Sequence, residues 1–259
     1  RSFDGVSFCI TTNASKVEKT KKCIQMIKNQ LTTKAIEIIV SGDVEPFRGL
    51  EGVKLVNAKE TAHNGLLAEL RNVAARAATQ DVIVYMDDDM LLSPTWLWRL
   101  ESFSDKEGWD ILGNKLLNPD GSRFWDRAIK DPHVLVSYGH PSDDPNLYQT
   151  GGFAVHRREV FENHEWDGTI PINNFENNGG ASVNEDIEYY ARLYENGYII
   201  KFDEGNTTWH WDDGYTQVFD NVNNISLTLL KEEIEKQHPE VNFPAENNEF
   251  SNLVSQLGA

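Results

Sequence analysis

Three consecutive carboxylates, Asp87-Asp88-Asp89, stand directly after the apolar run Val82-Ile83-Val84-Tyr85-Met86. Like charges this close raise one another's pKa unless a cation sits among them. Side chains two apart in an extended segment share a side. Asp87 and Asp89 are therefore expected to converge on one divalent ion, while Asp88 points elsewhere, toward a ribose hydroxyl. A solvated acidic loop is the plainer alternative. A second pair, Glu185-Asp186, follows Asn184 at the start of a helix-like stretch. It could supply a base, or it could only complement the helix dipole, for about 0.3–1 kcal/mol per acid. His210, between Trp209 and Trp211, reads either as a metal ligand or as a packed core residue. Trp125, Trp166, Trp209 and Trp211 lie in loop-like sequence, where flat apolar faces can stack on sugar rings.

The elements that must position these groups alternate. Residues 6–10 read as a strand ending in the turn chemistry of Thr11, Thr12 and Asn13. Val17, Thr20, Ile24, Ile27 and Leu31 then recur at helical spacing. Strands are expected at 35–40, 53–56 and 82–86, with one helix over about 63–79 that buries Leu66, Leu70, Val73 and Ala77. Ser93 and Pro94 read as N-cap and first residue of the next helix. Beyond it the chain is irregular with short strands at 111–112 and 134–136. A strand over 149–155 carries Gly151-Gly152, which signals a close backbone approach. Asn184 caps a helix expected to bury Ile187, Tyr190, Ala191 and Tyr194 and to stop at Gly197. A strand at 198–202 leads to a segment over 205–214 rich enough in Gly, Asn and Asp to be a mobile loop. A last amphipathic helix is expected at 226–237.

Strands separated by helices imply right-handed crossovers and a mostly parallel sheet. Ligands bind such sheets beyond the carboxyl ends of the strands, where the Asp triplet stands. Composition removes other classes. There are 24 basic against 41 acidic side chains, a formal charge of −17, which argues against nucleic-acid binding. No apolar run is long enough for a membrane span. Cys9 and Cys23 are too few for a disulfide framework or a thiolate metal site and read as core thiols. No signal sequence precedes Arg1, so the chain reads as a processed product or a fragment. The cytoplasm is the favoured compartment and a lumenal fragment of a larger protein the alternative; oligomeric state is left open.

The order of the signals along 6–213 resembles the glycosyltransferases of the GT-A fold, the family-2-type group above all. Leu70-Arg71-Asn72 leading to Met86-Asp87-Asp88-Asp89, and Gly151-Gly152-Phe153 leading to Asn184-Glu185-Asp186, carry the likeness. It implies an α/β fold, a Rossmann-like mostly parallel sheet flanked by helices with a smaller irregular acceptor-side half. The catalytic domain would span 1–215, with 1–92 as the nucleotide half and 93–215 as the acceptor half. The helix and tail of 216–259 would pack on the same domain.

The implied reaction is inverting transfer of a sugar from a nucleotide-diphosphate donor, UDP by preference, to a hydroxyl acceptor such as a glycan. Asp87 and Asp89 match the family's metal-binding Asp-x-Asp and His210 its late metal-binding histidine. Two carboxylates and an imidazole suit Mn²⁺ better than Mg²⁺, the alternative. Arg71 would lie near the nucleotide, and Thr11 and Asn13 near the base. Asp43 would recognise the base, although Ser41-Gly42-Asp43 replaces the family's Asp-Asp-Gly-Ser-like stretch. Asp88 would meet the ribose, and Gly151 and Gly152 would let backbone approach the donor sugar. Asp186 would be the base and Glu185 would orient the acceptor. Alternatives are a retaining transferase on the same fold and a non-catalytic sugar-binding module. A sugar nucleotidyltransferase would carry a glycine-rich basic loop that is missing after Ile10.

Overall fold

The structure, a computed structural model, describes residues 1–118, 121–130, 134–170 and 185–211. The Asn184 cap and the helix expected at 226–237 lie outside the described residues. In chain order the elements are β1 (Gly5–Thr12), α1 (Val17–Lys28), β2 (Ala35–Gly42), β3 (Val53–Asn57), α2 (Lys59–His63), α3 (Leu67–Arg76), β4 (Val82–Asp87), β5 (Met90–Leu92), α4 (Trp96–Lys106) and β6 (Ile111–Leu117). The rest are β7 (Arg127–Ile129), β8 (Val134–Leu135), β9 (Leu147–Gln149), β10 (Phe153–Arg157), α5 (Arg158–Asn163), α6 (Glu185–Glu195) and β11 (Ile200–His210).

Among the described residues the strands form one eight-stranded sheet, ordered β3-β2-β1-β4-β10-β6-β11-β5, and a small one, β8-β7-β9. The pairs among β3, β2, β1 and β4 are parallel, as is β6 with β11, whereas β10 and β5 run antiparallel to their neighbours. Strands β1 and β4 carry apolar residues on both faces because both faces are covered. Val6, Phe8, Ile10, Val82, Val84 and Met86 pack into one core, with Ile24 and Ile27 of α1 and Trp96 and Leu100 of α4. Cys9, Ile83 and Tyr85 point into the opposite core, with Ala74 of α3 and Tyr189 and Tyr190 of α6. Each large side chain buried in this way contributes about 1.5–3 kcal/mol.

One topological fact builds the site. Only Asp88 and Asp89 separate β4 from β5, yet the two strands stand four places apart in the sheet order. The sheet therefore curls until its far edge returns beside the end of β4. Because β5 pairs with β11, with Met90 opposite His210, that return carries the histidine to the acidic turn.

Six expectations need correction. The helix over 63–79 is two, α2 and α3, because Gly65 takes a left-handed conformation (φ +69°) between them. The face that α3 buries is Ala68, Leu70, Arg71, Asn72, Ala74 and Ala75. Helix α4 starts at Trp96 rather than at Pro94, after a turn in which the Trp96 amide donates to the Ser93 carbonyl (3.0 Å). The strand expected over 149–155 is broken into β9 and β10 by a turn at Gly151-Gly152. Residues 205–210 belong to β11, which continues past a register shift between Asp203 and Thr207, so this part of the expected mobile loop is paired sheet. On α6, Tyr189, Tyr190 and Leu193 are buried together with Asp186, while Ile187, Ala191 and Tyr194 are only half-buried.

Candidate functional site

A cleft of about 430 Å³ opens at the carboxyl ends of β1 and β4. Thr11, Thr12, Asn13 and Lys16 line one wall, the three aspartates the floor, and Phe124, Trp125, Thr150, Gly152 and His210 the other side. The chain turns at Asp88-Asp89, so the triplet is not the extended segment that the two-residue alternation assumed. All three carboxylates still reach the cleft, each with different partners.

Asp87 ends β4. Its amide donates to the Gly152 carbonyl (2.9 Å), which ties the triplet to the glycine turn. Burial pushes its carboxyl up to about 7, against the pull of Arg71 4.0 Å away. About a third of the side chain (33%) opens on the cleft, and the neighbouring charges of Asp89, Asp88 and Glu185 all raise it further. Asp88 accepts from Thr12 Oγ1 (2.6 Å); burial raises its pKa against that bond. Asp89 goes the other way. Burial would raise it, but His210 Nε2 at 3.5 Å and Lys16 Nζ at 2.5 Å hold it below the ordinary carboxylate value.

His210 is fixed by its strand and by Phe124, whose ring stacks on it at 3.8 Å and 4°. Among the described residues no three acidic, His or Cys side chains are yet gathered as a metal cage. The residues nonetheless fit a divalent ion. Two carboxylates and an imidazole are a donor set that Mn²⁺ accepts, and His210 Nδ1 is buried without a hydrogen-bond partner.

Arg71 connects this floor to the second acidic pair. Its guanidinium is 2% exposed, donates to Glu185 Oε1 (2.8 Å), and lies 4.8 Å over the Trp166 ring. Asn72 locks that ring from behind: its Nδ2 donates to the Trp166 carbonyl and its Oδ1 accepts from the Trp166 amide, both at 2.9 Å. Asp186, 8% exposed, accepts from the amides of Ile187 (2.9 Å) and Gly151 (3.3 Å). A helix start tends to lower a carboxylate's pKa. Burial and the adjacent Glu185 outweigh those amides and Arg71, and raise it to about 6.

The glycines sit where the sequence expected close approach. A Cβ on Gly151 would stand 2.7 Å from Arg71 Nη1, and one on Gly152 2.8 Å from Asp87 Oδ2. Arg71 cannot retreat, being buried and paired. Gly151→Ala is therefore expected to destabilise the fold by about 1–3 kcal/mol, read as a lower urea midpoint, and to reduce activity with it.

Of the other expected residues, Thr11 donates weakly to Asp87 Oδ1 (3.5 Å), and Asn13 accepts from the Ser15 amide (3.0 Å) while lining the cleft. Asp43 is held at the end of β2 by Lys59 (3.0 Å) and His63 (3.1 Å), which lower its pKa, and it does not line the cleft. Glu185 faces Arg71 and Asp186 faces backbone amides; neither lines the cleft wall. Among the four tryptophans only Trp125 reaches the cleft. Trp166 stacks on Tyr189 at 3.9 Å, and Trp209 and Trp211 are core residues. Sequence reasoning missed Lys16, whose only signal is a lysine just after the first strand's turn, and Phe124, which had none.

Comparison with known proteins now decides the family. The model of "Glycosyl transferase family 2" matches residues 7–165, more than half of the chain. The chain belongs to that family. Its curled mixed sheet with flanking helices is the GT-A fold. No curated protein sequence matches it significantly. S. aureus TarS superposes with a TM-score of 0.57 at 16% identity over 98% of this chain and 42% of TarS. GalNAc-T7, solved with UDP, GalNAc and Mn²⁺, superposes with a TM-score of 0.61 at 15% identity over 99% of this chain and 55% of that one. At such identities the likeness speaks for the fold alone. The present chain spans less than two thirds of the length of either.

Proposed function

We propose that the chain transfers a sugar, with inversion, from a UDP-type nucleotide-diphosphate donor to a hydroxyl of a glycan acceptor, using a divalent cation. The observation that carries the proposal is the return of β11 to the acidic turn, which leaves His210 Nε2 3.5 Å from Asp89. Two carboxylates on the cleft floor with an imidazole beside them make a site for a cation that has to hold two phosphates. Asp87, Asp89 and His210 are the assigned ligands. When bound, Mn²⁺ supplies Lewis-acid stabilisation to the departing diphosphate. The cation would also keep Asp87 ionised below pH 7, opposing the rise that burial causes.

The chain's own residues do the rest. Thr11 and Asn13 form the wall assigned to the base, and Asp88, steadied by Thr12, the ribose contact. Gly152 leaves room beside Asp87 that no other residue would leave. Asp186 takes the acceptor's proton as the hydroxyl attacks, and its pKa near 6 makes it a stronger base than an exposed aspartate. Arg71, between Asp87 and Glu185, keeps the two acidic groups in fixed relation.

A base must be ionised, so activity should rise through about pH 6 and be lost below it. Glu185 raises the Asp186 pKa through its charge. Glu185→Gln is therefore expected to move the acid limb of kcat to lower pH; a limb that stays in place would remove Asp186 as its source. The activity itself is tested by incubating the chain with a panel of nucleotide sugars and Mn²⁺ and reading the released nucleotide. NMR of the product's anomeric proton then reads the stereochemistry. Inversion with UDP release is expected, and retention would contradict the role given to Asp186.

A further inference from the structure

Among the described residues Lys16 is the one lysine or arginine paired with the acidic turn from the cleft side. Its ammonium lies 2.5 Å from Asp89 Oδ2, the same oxygen that His210 Nε2 approaches at 3.5 Å. It is not a buried structural partner, because 39% of its side chain is exposed and it lines the cleft. The backbone beneath it is held in place. The Ala14 amide donates to Thr12 Oγ1 (3.0 Å), Ala14 has φ +62°, and Thr12 Oγ1 in turn donates to Asp88. The lysine thus has a fixed root on the turn after β1 and a flexible four-carbon stem.

We infer that Lys16 is a tethered counter-ion with two positions, on Asp89 when the cleft is empty and on the donor's diphosphate when the cleft is loaded. The inference rests on the reading that Asp89 holds the cation. An ammonium and a divalent cation cannot share one carboxylate oxygen without strong like-charge repulsion, so cation binding displaces the lysine. The stem then leaves it facing the space between Thr12, Asn13 and the aspartates, where the phosphates of the donor would lie. A lysine is a compact point charge suited to phosphate oxygens. There it adds positive charge as the bond from the anomeric carbon to the phosphate oxygen breaks and its electron pair passes to that oxygen. No proton transfer is needed, because the diphosphate leaves as the anion.

The two positions predict opposite effects from one substitution, which a merely structural contact does not. Lys16→Met removes a competitor for Asp89 and a partner for phosphate. Mn²⁺ alone, titrated into the full chain and read by the EPR signal of free Mn²⁺, should bind about tenfold more tightly. UDP, titrated by calorimetry at saturating Mn²⁺, should bind about tenfold more weakly, each change being the size of one charge-assisted contact. Lys16→Arg should restore most of the UDP affinity and, by re-forming the pair with Asp89, most of the competition with Mn²⁺. Unchanged affinities in Lys16→Met, or a shift of both in the same direction, overturn the two-position role while leaving the cation site intact. If the unsubstituted chain itself takes up no Mn²⁺, the cation reading and this inference fall together.

Discussion

Asp186→Asn is expected to lower turnover by about 10²–10⁴-fold, the usual range for losing a positioned base, with Mn²⁺ and UDP affinity nearly unchanged. The amide keeps the shape, and its one oxygen can still accept from the Ile187 amide while the longer bond from Gly151 is lost, so the helix start should survive. What it loses is the carboxylate whose pKa burial and Glu185 raise to about 6. Single-turnover transfer at pH 8, with binding titrations alongside, separates the two. A variant with normal turnover would take the base away from Asp186, and with it the reason to expect inversion.

Arg71→Met should be the most destabilising single change at the site. Arg71 is buried, donates to Glu185, stands 4.0 Å from Asp87 and covers Trp166. Removing one member of a buried charged set leaves the others uncompensated, which typically costs about 3–5 kcal/mol. Urea unfolding followed by tryptophan fluorescence reads the loss. Arg71→Lys should recover only part of it, since an ammonium cannot lie flat on an indole and reach Glu185 with the same geometry. A loss below about 1 kcal/mol for Arg71→Met, the scale of an exposed pair, would mean that the acidic groups do not depend on it.

How far the sequence alone reached depended on whether a signal was local. The runs of β1, β2 and β4 are visible because apolar residues on both faces leave little else for them to be. The Asp triplet stands out because three carboxylates follow directly on five apolar residues, 82–86. The buried side of α3 was misread because Arg71 and Asn72 look like solvent-facing residues; only Glu185 and Trp166, distant in sequence, make their burial favourable. His210 was read as part of a mobile loop because nothing local reveals that β11 continues past its irregularity to pair with Met90. Its nearness to Asp89 was anticipated only through family likeness; the curl of the sheet supplies the physical reason. Lys16 and Phe124 were missed for the same cause, being site residues by tertiary contact alone.

The most direct test of the account is the thermal shift of the chain with UDP, measured with Mn²⁺ and again with the metal chelated. A ligand that binds only the native state raises apparent stability by RT ln(1 + [L]/Kd), about 2.7 kcal/mol at a hundredfold excess over Kd. The account predicts a clear rise in Tm with UDP and Mn²⁺ together, a small one or none with UDP in chelator, and loss of the metal-dependent part in Asp89→Asn and His210→Ala. An equal rise with and without Mn²⁺, unaffected by those two substitutions, would contradict it.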